Sequence, residues 1–310
     1  MFQQMKTQAP RVNRCLLGLA FCLAACGAQA CTIPVFRFAL DRWESDGFRL
    51  VVPAANLKQP DTSKLLIPLR GNASANIKVK EDSDASVTEA RLLDSRDGNE
   101  TLWSGALNAG NLENLLESPA RKELLKRILE GESVIWVVVD NGRPESKAAA
   151  DRMEKRLRYL EQVIALPPQD PNDPDSQLGP GPALKLKLTL MRVSQTDATE
   201  KLFCAMLAGK KCAATLAKGD AFAAPVFGRG RVLGAWPMAE LDDTALEDIT
   251  MFLTGRCSCR VKNESPGWDV LLKVDWDSAL RKAQNKRGTA EESKPARPQP
   301  ETVHIEPSKK

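Results

Sequence analysis

Residues 134–139 read Val-Ile-Trp-Val-Val-Val, an unbroken apolar run rich in β-branched side chains. A run without polar alternation fits a strand covered on both faces, the setting of a sheet with helices above and below it. Its neighbours agree. Upstream, Ser118-Pro119 supplies an N-cap serine and a first-turn proline, and Leu124, Leu125, Ile128 and Leu129 share one helical face before Gly131. Downstream, Asn141-Gly-Arg-Pro144 is a turn. The helix expected after it, about 145–165, carries the stripe Ala149, Met153, Leu157, Leu160 and Ile164. Helix, strand, helix in this order predicts an α/β fold.

The same reasoning organises the rest of the chain. Pro34–Trp43 predicts a short helix and Phe48–Val52 a strand, while residues 54–100 predict short strands and loops. Residues 167–183 are a Pro/Asp/Gly segment, read as a linker between a first α/β domain at 31–166 and a second at 184–284. The second opens with Leu184, Leu186, Leu188 and Leu190 alternating with polar residues, a strand with one buried face. Asp197 and Glu200 form a capping pair for a helix at 198–208 that stops at Gly209, and Thr244 with Glu247 caps a helix ending at Gly255. Between them, 224–227 and 231–235 read as strands joined at Gly228-Arg-Gly230. Residues 285–310, poor in apolar side chains and rich in Lys, Glu and Pro, are expected to be disordered.

The N-terminus carries an address. Lys6, Arg11 and Arg14 precede the apolar run Cys15–Ala25, which has the length of a signal-peptide core and is too short to span a bilayer. Two cleavage sites compete: Ala28-Gln-Ala30, which would leave Cys31 first, and Leu23-Ala-Ala-Cys26, which has the form of a lipobox and would make Cys26 a lipidated N-terminus. The lipobox is preferred, giving a signal segment of 1–26 rather than 1–30. No later stretch reaches the roughly 18 apolar residues of a membrane span. The expected location is therefore the periplasm or cell envelope, with the membrane reached only through the lipid.

Charge and residue counts restrict the chemistry. The net charge is +4, but residues 1–30 and the tail 281–310 supply it, which leaves residues 31–280 at −3. That mildly acidic body gives no nucleic-acid partner. The single histidine, His304, lies in a polar tail, so histidine-based triads, bases and zinc sites have no candidate. Five thiols survive removal of the signal: Cys31, Cys204, Cys212, Cys257 and Cys259. Cys31 precedes a helix that opens at Pro34, where a thiol is activated, and Cys257-Ser-Cys259 follows a helix end. These three are the candidates for a disulfide, a redox pair or, less favoured, a thiolate metal site. One bond from Cys31 to Cys257 or Cys259 would tie the N-terminal helix to the second domain. Cys204 and Cys212 suggest a local crosslink or core positions. Arg229 and Arg231 sit on a glycine turn that could meet an anion, although the spacing fails G-x-G-x-x-G. Glu44, Asp46, Asp242, Asp243, Asp275 and Asp277 read as scattered surface acids, and Trp268 and Trp276 as packing residues.

Cys31-Thr-Ile-Pro-Val-Phe-Arg-Phe-Ala-Leu-Asp-Arg-Trp43, Pro225-Val-Phe-Gly-Arg-Gly-Arg231, Cys257-Ser-Cys259 and Val274-Asp-Trp-Asp277 together resemble an uncharacterised family of exported bacterial proteins. The resemblance spans most of 31–280 and implies no particular reaction. The second half is also similar to a thioredoxin fold, in which Pro225 would be the proline preceding the hairpin. It has no C-x-x-C, and position 34 holds proline. The expectation is thus two thioredoxin-like three-layer modules in tandem, without a cofactor. Their role is more binding or structural than catalytic, toward an envelope protein or a small ligand. A thiol-disulfide oxidoreductase using Cys31 with Cys257 or Cys259 is the alternative, and a thiolate metal carrier a further one.

Overall fold

The computed structural model describes residues 32–69, 74–84, 86–96, 100–170, 172–257 and 267–292. The run at 134–139 becomes β5 (Val134–Asp140), buried along its whole apolar length. It pairs in parallel with β6 (Leu188–Ser194), Val134 opposite Leu188, and antiparallel with β7 (Phe222–Phe227). On its other side β7 meets β8 (Arg231–Val232) and β9 (Trp236–Pro237), and β10 (Trp268–Asp269) pairs with β8. A second sheet forms from β1 (Phe48–Pro53), β2 (Ile77–Asp82), β3 (Ala90–Leu93) and β4 (Thr101–Gly105).

The two sheets share one plan. Their orders are β2-β1-β3-β4 and β6-β5-β7-β8, the latter extended by β10. In each, only the first two strands run parallel. The protein is an α/β fold with two thioredoxin-like modules in tandem. Among the described residues the α-helices are α1 (Val35–Arg42), α2 (Ala54–Leu57), α3 (Pro60–Leu66), α4 (Ala109–Leu116), α5 (Pro119–Leu129), α6 (Pro144–Val163), α7 (Lys201–Ala217), α8 (Asp243–Thr254) and α9 (Trp276–Glu292). Alternation along β5 divides the core. Ile135, Val137 and Val139 pack with Leu50, Leu92, Leu124, Phe203 and Leu207. Val134, Trp136 and Val138 pack with Val35, Met153, Leu157, Leu246 and Leu253. Pro225 sits inside β7 opposite Trp136, and its carbonyl accepts from the Leu233 N–H. Nitrogen and carbonyl of one strand residue point the same way, so the missing N–H falls in the gap between β8 and β9, where the ladder loses nothing.

Several expectations are corrected. The 167–183 segment does not separate two sheets: β5 and α6 precede it and β6 follows it in the same sheet, so it is a crossover. The change of sheet falls between β4 and β5. Low regularity in that segment reflects its Pro and Gly content, not independence of its flanks. β6 starts at Leu188 rather than 184, because its partner β5 starts only at Val134. The expected 198–208 helix does break at Gly209, whose φ of 53° is left-handed, but α7 resumes and continues to Ala217. A Cβ at position 209 would stand 2.5 Å from the Trp268 ring, whose Nε1–H donates to the Met206 carbonyl at 2.7 Å. The kink therefore seats Trp268. α8 is capped by Asp242, which accepts from the Ala245 N–H, not by Thr244. α9 runs to Glu292, into the segment expected to be disordered, because Leu280 is buried against the core and the helix packs on α5. Residues 293–310 lie outside the described residues.

The capping role expected for Glu200 is also different. Its buried carboxylate leaves its own helix and caps α5, which packs on β5. It accepts from the Ser118 hydroxyl at 2.6 Å and from the Ala120 N–H at 2.7 Å. Beside it Arg121, 2% exposed, donates to the carbonyls of Leu115, Asn114 and Leu271. Burial pulls the Arg121 pKa down to about 10, with Glu200 opposing the shift. Removing Glu200 takes away one of the two carboxylates, with Glu117, that offset the buried Arg121 charge, and strips the Ser118 and Ala120 donors of their acceptor. Glu200→Ala is therefore expected to cost about 3–5 kcal/mol in urea denaturation. A loss below about 1 kcal/mol would show that Arg121 is solvated.

Candidate functional site

α1 has eight residues, too few for a stable helix alone, and is held by its surroundings. At its start Pro34 bridges to Arg256: the Val35 N–H donates to the Gly255 carbonyl at 3.0 Å, and the Cys257 N–H to the Ile33 carbonyl at 2.9 Å. In its middle Arg37, 3% exposed, pairs with Asp41. Arg37 also donates to the carbonyls of Pro182 and Gly179, while the Gly179 N–H donates back to Asp41 at 2.9 Å. This pair fixes the 167–183 crossover.

At its end α1 meets the hairpin at 228–231. Gly228 has φ 57°, and a Cβ there would lie 2.6 Å from that of Ala39. Arg229 donates from Nε to the Leu40 carbonyl at 2.8 Å and from Nη2 to the Asp41 carbonyl at 3.3 Å, capping the C-terminus of α1. Arg231, 5% exposed, donates to Asp46 at 2.8 Å and to the Gly267 carbonyl, with Asp269 at 3.6 Å. The anion contact raised for Arg229 and Arg231 is thus corrected in part. Arg231 is committed to carboxylates inside the protein, and Arg229 anchors a helix end while also lining a cleft.

That cleft, about 360 Å³, is bounded by Glu44, Ser45, Asn76, Lys78, Arg229 and the run Val274–Asp277. Four chain segments meet here: the turn after α1, the start of β2, the hairpin, and the entry to α9. Asn76 locks them together. Its Nδ2 donates to the Asp46 and Val270 carbonyls at 3.0 and 3.1 Å, and its Oδ1 accepts from the Leu272 N–H at 2.9 Å. The walls carry carboxylates from Glu44, Asp275 and Asp277, cations from Lys78 and Arg229, and the half-buried Trp276 ring. These acids are not scattered. Glu44, Asp275 and Asp277 line one cavity, and Asp46 pairs with Arg231. Sequence reasoning passed over Asn76 and Lys78, but the acids were within reach, since Glu44 adjoins Trp43 and Asp275 and Asp277 lie inside the Val274–Asp277 motif. A larger groove of about 770 Å³ lies between α5 and α9 and shares only Val274 and Asp275 with the cleft.

Of the two expectations for Cys204 and Cys212, core positions are borne out and the local crosslink is not. Cys204 and Cys212 are free and buried on α7, eight positions apart. The break at Gly209 lies between them, and neither is paired with the other. Burial pushes the Cys204 thiol up to about 12 and Cys212 to about 11, so both stay protonated at neutral pH. Cys257 is buried, with its backbone paired to Ile33. Cys26, Cys31 and Cys259 lie outside the described residues. Among the described residues no group of three or more His, Cys, Asp or Glu is placed to hold a metal ion. The chain matches no protein-family model, and no curated protein matches it.

The contact of Gly228 with Ala39 generates a stability expectation. Gly228→Ala combines strain at positive φ with displacement of α1 and is expected to cost about 1–3 kcal/mol. It should also speed proteolysis near residue 37. Unchanged thermal stability would show that α1 is not seated by the hairpin.

Proposed function

We propose that this chain is an exported envelope protein, tethered by lipid at Cys26, that binds a small polar ligand bearing charges of both signs and catalyses no reaction. The observation that carries the binding reading is the cleft. Segments separated by up to 233 residues bring Glu44, Lys78, Arg229, Trp276, Asp275 and Asp277 to one cavity whose backbone Asn76 holds rigid. The non-catalytic reading draws support from the first turn of α6. A reactive dithiol of a strand–helix module would sit at this helix start, and the sequence there is Asn141-Gly-Arg-Pro144. Export and anchoring rest on the basic flank and Leu23-Ala-Ala-Cys26. Among the described residues no helix is long and apolar enough to cross a membrane. Labelled palmitate should enter the wild-type chain and not Cys26→Ala. A panel of amino acids and short peptides should raise the melting temperature of the wild type, and Asp275→Asn/Asp277→Asn should abolish that rise. An unlabelled chain refutes the anchor, and a panel without effect refutes the ligand class.

The pairing of Ile33 with Cys257 favours a second reading for the thiols. In the ladder Pro34 faces Arg256, so partner numbers sum to 290. Cys31 and Cys259 lie outside the described residues, and in sequence each is two positions from this Ile33–Cys257 pairing. We propose a Cys31–Cys259 disulfide that closes the seam as a structural bond, with a reversible redox pair as the alternative. Peptide mapping of the unreduced protein should recover that link, with Cys204 and Cys212 alkylated only after unfolding. Free alkylation of Cys31 in the folded protein overturns the bond. Reduction by glutathione at millimolar concentration without loss of fold would favour the redox pair.

A further inference from the structure

Five large apolar side chains are exposed among the described residues, and four of them lie on two neighbouring helices: Tyr159 and Val163 on α6, Met251 and Phe252 on α8. Each is between 43% (Phe252) and 55% (Val163) exposed. The two helices run side by side in the same direction. Arg152 donates to the Leu241 carbonyl, and further along both helices Arg156 meets Glu247 at 2.7 Å. One turn beyond that ion pair come Tyr159 on one helix and Met251 on the other, with Val163 and Phe252 also near the two C-termini. Arg156 stacks over the Tyr159 ring at 5.0 Å, which holds the phenol in place at the patch edge.

Both helix ends lead to the same point. Beyond α6, Gln169 donates to the Thr32 carbonyl at 2.9 Å. Beyond α8, Gly255 and Cys257 pair with Val35 and Ile33. The patch therefore lies at the end of the molecule where residue 32 emerges. Cys26 is six residues upstream, a reach of at most about 20 Å. α1 runs from this end over about 12 Å toward Glu44 in the cleft wall.

We propose that the Tyr159–Val163–Met251–Phe252 patch is a membrane-contact face that rests on the lipid surface to which Cys26 is anchored. The inference rests on the anchoring reading above. Two signals then act together: the lipid holds the chain within about 20 Å of the bilayer, and the patch fixes its orientation. A phenol beside apolar side chains suits the headgroup boundary, where one end of the ring is wet and the other dry.

Tyr159 is the single tyrosine of the chain, so it reports on the patch without a substitution there. Ile67, 61% exposed on the first module, provides a place for an internal standard through Ile67→Tyr. The palmitate-labelled protein, reconstituted in phosphatidylethanolamine–phosphatidylglycerol vesicles, is iodinated enzymatically from the aqueous phase and mapped by peptide. Labelling at position 159 should be about tenfold slower than at position 67, and dissolving the vesicles in a mild non-ionic detergent and diluting should change that ratio. Equal labelling at both positions on vesicles, with palmitate present, overturns the membrane face and leaves the anchor standing. Absence of palmitate overturns the anchor and this inference with it. Protection at 159 that persists in detergent and accompanies a crosslinked dimer assigns the patch to a second copy and also overturns it.

Discussion

The seating of α1 against the hairpin at 228–231 is the contact on which the rest of the second module depends. Eight residues cannot hold a helix by themselves, so every turn of α1 is fixed from outside. Its start adds a short ladder to residues 255–257, its middle grips the crossover through Arg37 and Asp41, and its end is capped by Arg229. Gly228 makes the approach possible by having no side chain where Ala39 arrives. Phe227 then meets Trp43 edge-on, with ring centroids 6.1 Å apart. The charged members of this seat contribute little net stability against apolar replacements, but each is costly to strip of its partner, so they fix position more than they add strength.

The two sheets repeat one strand order yet are joined by different chemistry on each side. One tie is ionic and deep: Glu200 of the second module caps α5, on the link between the two sheets, and Arg121 of α5 donates to the Leu115 and Leu271 carbonyls. The other is amide-based: Asn76 of the first module satisfies both ends of its side chain on backbone from residues 46, 270 and 272. Between them β5 gives one face to each half of the core. With polar groups paired across the junction and apolar groups continuous through it, the modules have little freedom to slide, and the cleft at their edge keeps its shape without a ligand.

Much of the architecture was legible in the sequence because local chemistry sufficed. β5 followed from β-branched composition, α5 from Ser118-Pro119, α6 from its stripe, and the hairpin from Gly228 and Gly230. What was not legible depended on partners far along the chain. The crossover at 167–183 has the composition of a linker, and only the pairing of Val134 with Leu188 makes it internal. Glu200 has the spacing of a capping residue, and only the arrival of Ser118 turns it outward. The cleft was half visible: its acids lie in or beside the motifs, but nothing local shows that residues 44, 78, 229 and 275 become neighbours. The burial of Cys204 and Cys212 on either side of the kink required the continuation of α7 past Gly209, which the glycine itself argued against.

The ladder between residues 33–35 and 255–257 has a consequence for the order of events during synthesis. The first described helix cannot be fixed until more than two hundred further residues have been made, because its ladder partner, its hairpin seat and its crossover clamp all come later in the chain. Closure of so long a loop belongs to the final stage of folding. A chain threaded through a membrane from its N-terminus would therefore pass with that end still open, and the second module would lock only as the last strands emerged on the far side. Early local helices form, but the act that completes the protein waits for the end of transit.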